Sequence, residues 1–338
     1  METYAGIDLH SSNNFIGVIN NKDKRLYGKR HSNRLTDVLT ALAPFKESLK
    51  GVVVESTFNW YWLVDGLQEN GYQVHLANPS AIKQYEGMKH TDDQWDSFWL
   101  AHMYRLNLLA EGYIYPKEHR GARDLLRRRV LFVQQRTAQI LSLQSMISRN
   151  LGFKMSNNEI KKLTANDIEE LFDHPNLVLM ATNSWATIEF LKHIIRGIEK
   201  RVMSQAKLRE EFTMLLTIPG IGNILALTIM LEVGDIGRFA KVGDDSSYCR
   251  CVESKRVSNG KKKGENNKKN GNKYLAWAYV EAANFAKRYC SKAHSFYQSK
   301  KAKTKNVVAI KALSNKISRA SYYIMRDQVA FDEDKLFR

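Results

Sequence analysis

The sequence predicts an α/β N-terminal domain, a long helical arm and a mostly α-helical C-terminal domain within 338 residues. Three observations lead there. Short β-type runs alternate with helical ones up to about residue 115, the pattern of a sheet flanked by helices. Apolar residues then recur at helical spacing with few breaks. After about residue 210, helical runs are separated by a Pro-Gly-Ile-Gly turn and by a basic, Gly- and Asn-rich loop. The expected divisions are 1–115, 116–210 and 211–338.

Residues 3–8 read as a short strand ending in an acid, Asp8. Residues 14–19 and 25–30 read as two further strands, separated by an Asn-Asn-Lys-Asp turn. A helix is expected over 35–43. The run Gly-Val-Val-Val-Glu-Ser at 51–56 suits a strand buried on both faces, with Glu55 near its end. A helix over 60–69 and a strand over 73–77 follow. This β-β-β-α-β-α-β order is the layout of an RNase H-like nuclease domain.

Residues 123–150 contain no Gly or Pro and carry Leu126, Val130, Val133, Ile140, Leu143 and Ile147 at helix-packing intervals. A second long helix is expected over 186–215, after an irregular polar stretch at 154–183. Beyond the Pro219-Gly220-Ile221-Gly222 turn, helices are expected over 224–231, 274–289 and 305–330, with 254–273 as a loop.

Composition narrows the function. The net charge of +17 is uneven. Residues 1–115 carry 11 Lys/Arg against 13 Asp/Glu, a net of −2, whereas residues 241–320 carry 20 against 5, a net of +15. A surface that basic and interleaved with aromatics suits phosphates. No apolar run approaches the ~20 residues of a membrane span, and no signal peptide is visible, so a cytoplasmic protein is expected. Three cysteines, Cys249, Cys251 and Cys290, form neither a disulfide framework nor a zinc pattern, and read as reduced thiols.

Asp8 and Glu55 close predicted buried strands, where a carboxylate is costly unless it faces a crevice or a cation. Asp93 and Asp96, spaced i, i+3, share one face of a helical turn. Four carboxylates brought together at strand ends would hold one or two hard divalent cations, Mg²⁺ or Mn²⁺, for phosphoryl transfer. Helix capping by Asp92 or Asp93 is the competing reading, and Asp92 competes with Asp93 as ligand. In Pro219, Gly220 and Gly222 the chain resembles a helix-hairpin-helix turn, which brings backbone N–H groups to a phosphate. Arg256, Lys261, Lys262, Lys263, Lys268 and Lys273 are candidate contacts to a nucleic-acid backbone. A serine among them could act as a nucleophile.

These residues carry a resemblance. Gly6-Ile-Asp8, Val54-Glu55, Met88 through Ala101, Ile218 through Gly222 and the block from Ser258 to Ala278 resemble the DEDD transposases of bacterial insertion sequences, related to the Piv invertase. The resemblance covers nearly the whole chain. It implies a RuvC-like domain with the acidic tetrad Asp8, Glu55, Asp93 and Asp96. It also implies a nucleophilic serine, best matched by Ser258 with Ser254 as the lesser candidate. Two departures are present: Ser97 replaces the usual alanine, and Ser258-Asn259-Gly260 replaces the usual Ser-Gly. The resemblance further implies a homo-oligomer, dimer or tetramer, acting on double-stranded DNA with a non-coding guide RNA in the bacterial cytoplasm at the nucleoid.

Overall fold

A computed structural model describes residues 1–78, 92–206, 209–254, 256–265 and 270–337. The chain forms two compact units, Met1–Lys117 and Glu118–Arg338.

In the first unit, β1 (Thr3–Leu9), β2 (Asn13–Asn20) and β3 (Arg25–Ser32) form an antiparallel meander. Helix α1 (Leu35–Leu42) and a 3-10 turn lead into β4 (Leu49–Glu55), which lies parallel to β1. Helix α2 (Tyr61–Glu69) leads to β5 (Val74–Ala77), parallel to β4. Helix α3 (Asp93–Arg105) precedes the two-residue β6 (Glu111–Gly112), which closes the order β3-β2-β1-β4-β5-β6. Both sheet faces are covered. Val52 and Val54 pack with Val38, Leu63 and Leu67 on one side, and Val53 packs with Leu100 and Met103 of α3 on the other. That two-sided burial is why residues 52–54 are uniformly apolar rather than alternating.

One stripe of the sheet has no side chains. Gly6 of β1 pairs with Gly17 of β2, which pairs with Gly28 of β3. A Cβ on Gly6 would lie 2.0 Å from the Ser97 carbonyl oxygen. One on Gly17 would lie 2.8 Å from Ser97 Oγ, and one on Gly28 would lie 2.8 Å from the Phe98 ring. Helix α3 therefore rests on the strand backbone itself. Ser97 is fully buried and its hydroxyl donates to the Gln94 carbonyl at 2.9 Å, so the serine sits in this tight space with its polar group satisfied.

The second unit opens with the 35-residue α4 (Lys117–Leu151), whose first residue closes the first unit. The stretch expected to be irregular contains two short helices, α5 (Asn157–Ile160) and α6 (Ala165–Glu169). Each is started by a capping box, Ser156 with Glu159 and Thr164 with Asp167. The second long helix, α7 (Pro175–Ala206), begins about eleven residues earlier than expected, because Pro175 is tolerated in a first turn. It also ends before α8 (Glu210–Leu215), which is a separate helix. Ile140, Leu143 and Ile147 of α4 pack with Ile160, Ile168 and Ile188.

A larger core follows. Helix α9 (Asn223–Val233) is buried all round, α10 (Val242–Tyr248) is short, and α11 (Lys273–Tyr289), α12 (Ser291–Lys301) and α13 (Asn306–Asp327) pack on one another, before α14 (Glu333–Leu336). Leu227, Met230, Leu275, Tyr279, Leu313 and Ile317 lie at its centre. The segment expected to be a loop contains a β-hairpin, β7 (Arg256–Ser258) paired with β8 (Lys261–Gly264). Its turn residues Asn259 and Gly260 both have positive φ, 50° and 70°, the geometry of a type I′ turn that Asn-Gly favours. The three cysteines are free and buried. No helix among the described residues is long and apolar enough to cross a membrane.

Candidate functional site

Ile7 of β1 pairs with Val54 of β4 in parallel register, so the next residues, Asp8 and Glu55, lie side by side where that parallel pairing ends. Asp8 is only 3% exposed. Burial pushes its carboxyl up and the Asp93 charge adds to this, while His10 and the hydrogen bond with Glu55 act in the opposite direction. Glu55 is pushed up to about 7, first by burial, then by its hydrogen bond to Asp8 and the charges of Asp8 and Asp96. Asp96 is pushed up to about 6 by burial and by the charges of Asp8, Asp93 and Asp92. Burial also works on Asp93, but Arg30 and His10 outweigh it and hold that carboxyl below its usual range.

Helix α3 supplies the second pair of acids. Asp92 is its N-cap and accepts from the Trp95 amide at 2.6 Å, so the cap belongs to Asp92 and Asp93 is left to face the sheet end. Asp93 Oδ2 accepts from the Arg30 guanidinium at 2.5 Å, and Arg30 also donates to Asn13 Oδ1 at 2.7 Å.

Sequence reasoning passed over one member, His10. Its Nε2 lies 3.0 Å from Asp8 Oδ2 and 3.1 Å from Asp93 Oδ1. The His10 carbonyl accepts from Asn33 and from Asn59, each at 2.9 Å, which pins the β1–β2 connection. A signal was present: residues two apart at a strand end point to the same side, and Asp8-Leu9-His10 has that spacing.

Ligand atoms of Asp8, His10 and Asp93 all lie within 4.8 Å of one another. Asp8 Oδ2 and His10 Nε2 are buried and, despite their approach, make no aligned hydrogen bond. Buried, unsatisfied donors of this kind converging beside two more acids fit a divalent cation. The carboxylates suit Mg²⁺ or Mn²⁺, and the imidazole nitrogen tilts the set towards Mn²⁺. Without a cation, Glu55 and Asp96 hold protons up to about pH 7 and about pH 6. If these two acids join the Asp8, His10 and Asp93 cluster as ligands, metal binding must expel the protons, and affinity for Mn²⁺ is expected to rise with pH through that window and level off above it. Calorimetry in buffers of different ionisation enthalpy reads the proton release directly; affinity independent of pH would remove these acids from the site.

In the second unit, Ser258 is exposed at the last position of β7 and pairs with Lys261 across the turn. Lys261 and Lys263 are exposed on β8, Lys262 lies between them, Arg256 starts β7 and Lys273 starts α11. Lys268 and residues 88–91 of the Met88–Ala101 motif lie outside the described residues. Ser254 is half-buried just before the hairpin. Pro219 and Gly220 form the turn before α9. Gly220 has φ +91°, and a Cβ there would lie 2.5 Å from the Ala282 carbonyl oxygen and the Ala286 amide nitrogen. Its lack of a side chain thus serves packing on α11. Gly222, the N-cap of α9, has open space around it. Gly271, with φ +89°, presses on the Tyr248 carbonyl, and Asn272 caps α11 through the Tyr274 and Leu275 amides.

Sequence comparison agrees with this architecture. A DEDD transposase profile of the IS110 type matches residues 5–151, a span holding all four acids. The Transposase IS116/IS110/IS902 family profile matches residues 213–298, which include Ser258. The chain belongs to this family of insertion-sequence transposases. It is 24% identical over 352 aligned positions to the transposase for insertion sequence element IS1328 of Yersinia enterocolitica, covering 98% of this chain and 99% of that protein. It is 23% identical over 297 positions to the putative transposase y4qE of Sinorhizobium fredii, covering 83% and 71%.

Proposed function

We propose that this transposase is a site-specific DNA recombinase that combines a metal-binding acidic tetrad with a nucleophilic serine. The observation that carries the reading is the convergence of Asp8, Glu55, Asp93 and Asp96, with His10, at the ends of adjacent strands. The strand order β3-β2-β1-β4-β5, with β1, β4 and β5 parallel, supports an RNase H-like, RuvC-like assignment for this unit.

Asp8, Glu55, Asp93 and Asp96 would hold the cation, with His10 as a further ligand. When bound, it would stabilise charge on a scissile phosphate. The protein's own groups prepare the site: Arg30 fixes Asp93, Asn33 and Asn59 fix the His10 backbone, and Asp92 fixes the first turn of α3. Ser258, beside the Asn259-Gly260 turn, would attack phosphorus through Oγ, forming a phosphoserine bond as one strand P–O bond breaks and the released strand oxygen takes up a proton in place of the one Oγ gives up. The bond energy is retained, so rejoining needs no ATP. The basic hairpin supports backbone contact at Arg256, Lys261, Lys262 and Lys263, with Lys268 and Lys273 following in sequence. Gly222 is the glycine of the Pro219–Gly222 turn left open to a phosphate. The family resemblance supports guidance by a non-coding RNA and assembly as a dimer or tetramer.

Covalent capture tests the serine. Wild-type protein with end-labelled element DNA should give a denaturant-resistant protein–DNA adduct that Ser258→Ala abolishes and Ser254→Ala retains. Continued cutting by Ser258→Ala would instead identify a junction-resolvase-type nuclease that uses water. A discrete RNA co-purifying with the protein and mapping beside its gene is the expected outcome for guidance.

A further inference from the structure

A second candidate site lies within the second unit, in the groove between the middle of α4 and the start of α11. It encloses about 700 Å³ and is lined by Arg127, Arg128 and Leu131 of α4 and by Lys273, Tyr274 and Trp277 of α11. Its floor is locked. Arg127 donates through two nitrogens to the Glu232 carboxylate of α9, at 2.7 Å each, and Glu232 is 3% exposed. Asn272, the N-cap of α11, donates to the same carboxylate at 2.7 Å. One buried acid therefore ties three helices together and fixes the groove before any ligand arrives.

The groups above this floor are unpartnered or half-used. Arg127 and Lys273 cover Tyr274, at 4.9 and 5.1 Å from its ring centre. Arg129 is paired with Glu199 at 2.6 Å. Arg128 is exposed with no ion pair among the described residues, and the Trp277 indole is 37% exposed with no aromatic or cationic partner among them. A bare indole beside an unpaired guanidinium and an ammonium makes a stacking surface next to phosphate donors. A cleft in the ~300–1,000 Å³ range of small-ligand sites accepts a nucleotide or two but not a duplex.

We infer that this groove binds an unpaired stretch of DNA strand, stacking a base on Trp277 and pairing the flanking phosphates with Arg128 and Lys273. DNA is the occupant because it is the substrate of the family to which the chain belongs. The inference rests on residues of the second unit alone, so it stands apart from the chemistry proposed for the acids.

The test is binding of labelled oligo(dT) by the full chain in EDTA. Trp277→Ala and Arg128→Ala, both at exposed positions, should each weaken it about tenfold. Trp277→Phe should keep the affinity, and a duplex of equal length should bind all variants alike. A 5-iododeoxyuridine substituted strand should photocrosslink to Trp277. Unchanged oligo(dT) affinity in either alanine variant overturns the inference, as does an equal loss on duplex, which would mean a general basic surface. Tighter binding of oligo(U), lost in the same variants, would overturn the assignment to DNA.

Discussion

Asp8→Asn is expected to lower metal-dependent strand cleavage roughly a thousandfold while raising the melting temperature of the metal-free protein. The loss follows from removing the central ligand of the proposed metal site, which would place charge opposite a developing phosphorane. The gain follows from electrostatics. Glu55 is pushed up to about 7 by burial and by Asp8, so the folded protein holds a proton that the unfolded chain releases near its ordinary value of 4.5. Between those values the native state binds more protons, and stability falls as pH rises through the window. Asparagine at position 8 removes one repelling charge and flattens that fall, by on the order of 1–2 kcal/mol above pH 7. Thermal melts in EDTA at both ends of the window, alongside a cleavage assay with Mn²⁺, read both effects. Cleavage within tenfold of wild type would discard the site, and an unchanged pH slope would discard the electrostatic account.

Gly6→Ala is expected to disable the same site without touching a charged group. Its Cβ would meet a backbone oxygen, that of Ser97, at 2.0 Å, and backbone cannot rotate away. Helix α3 would have to lift, at a cost of about 3 kcal/mol. Asp93 and Asp96 would move with it, and a displacement of about 1 Å costs roughly a hundredfold in rate. Gly17→Ala is the control. Its closest contact is the rotatable Ser97 Oγ at 2.8 Å, so the damage should be smaller and partly relieved by Ser97→Ala. A Gly6→Ala protein with wild-type melting temperature and cleavage would mean that α3 does not bear on the strands as described.

Much of this was legible in the residues, and the exceptions have physical causes. Strands with an apolar run or clean turn signals, such as β1 and β4, are readable because burial writes itself into composition. The acids at 8 and 55 stand out because charge at a buried strand end needs a reason. Choosing between Asp92 and Asp93 needed the cap geometry, since spacing alone leaves both open. His10 was passed over because a histidine beyond a strand end has no local cost that marks it; only the approach of Asp93 from another element gives it a role. Asn259-Gly260 is a strong hairpin signal, but lysines on both flanks hid it among loop-like residues. The start of α7 at Pro175 falls inside the polar stretch expected to be irregular, because polar residues around it hide the helical pattern. The glycines at 6, 17 and 28 are individually unremarkable in sequence. Their alignment across three strands appears only when the register is known.

That alignment also sets a rotational phase. Asp93, Asp96, Ser97, Leu100 and Ala101 share one face of α3, with Ser97 and Ala101 seated against Gly6. One residue inserted between Asp96 and Ser97 would turn both acids about 100° around the helix axis relative to the seated residues. They would swing off the line of Asp8 and Glu55 with every ligand still encoded. Insertions should therefore be tolerated before Asp92 or after Arg105, but not within the single turn that joins the acids to their seat.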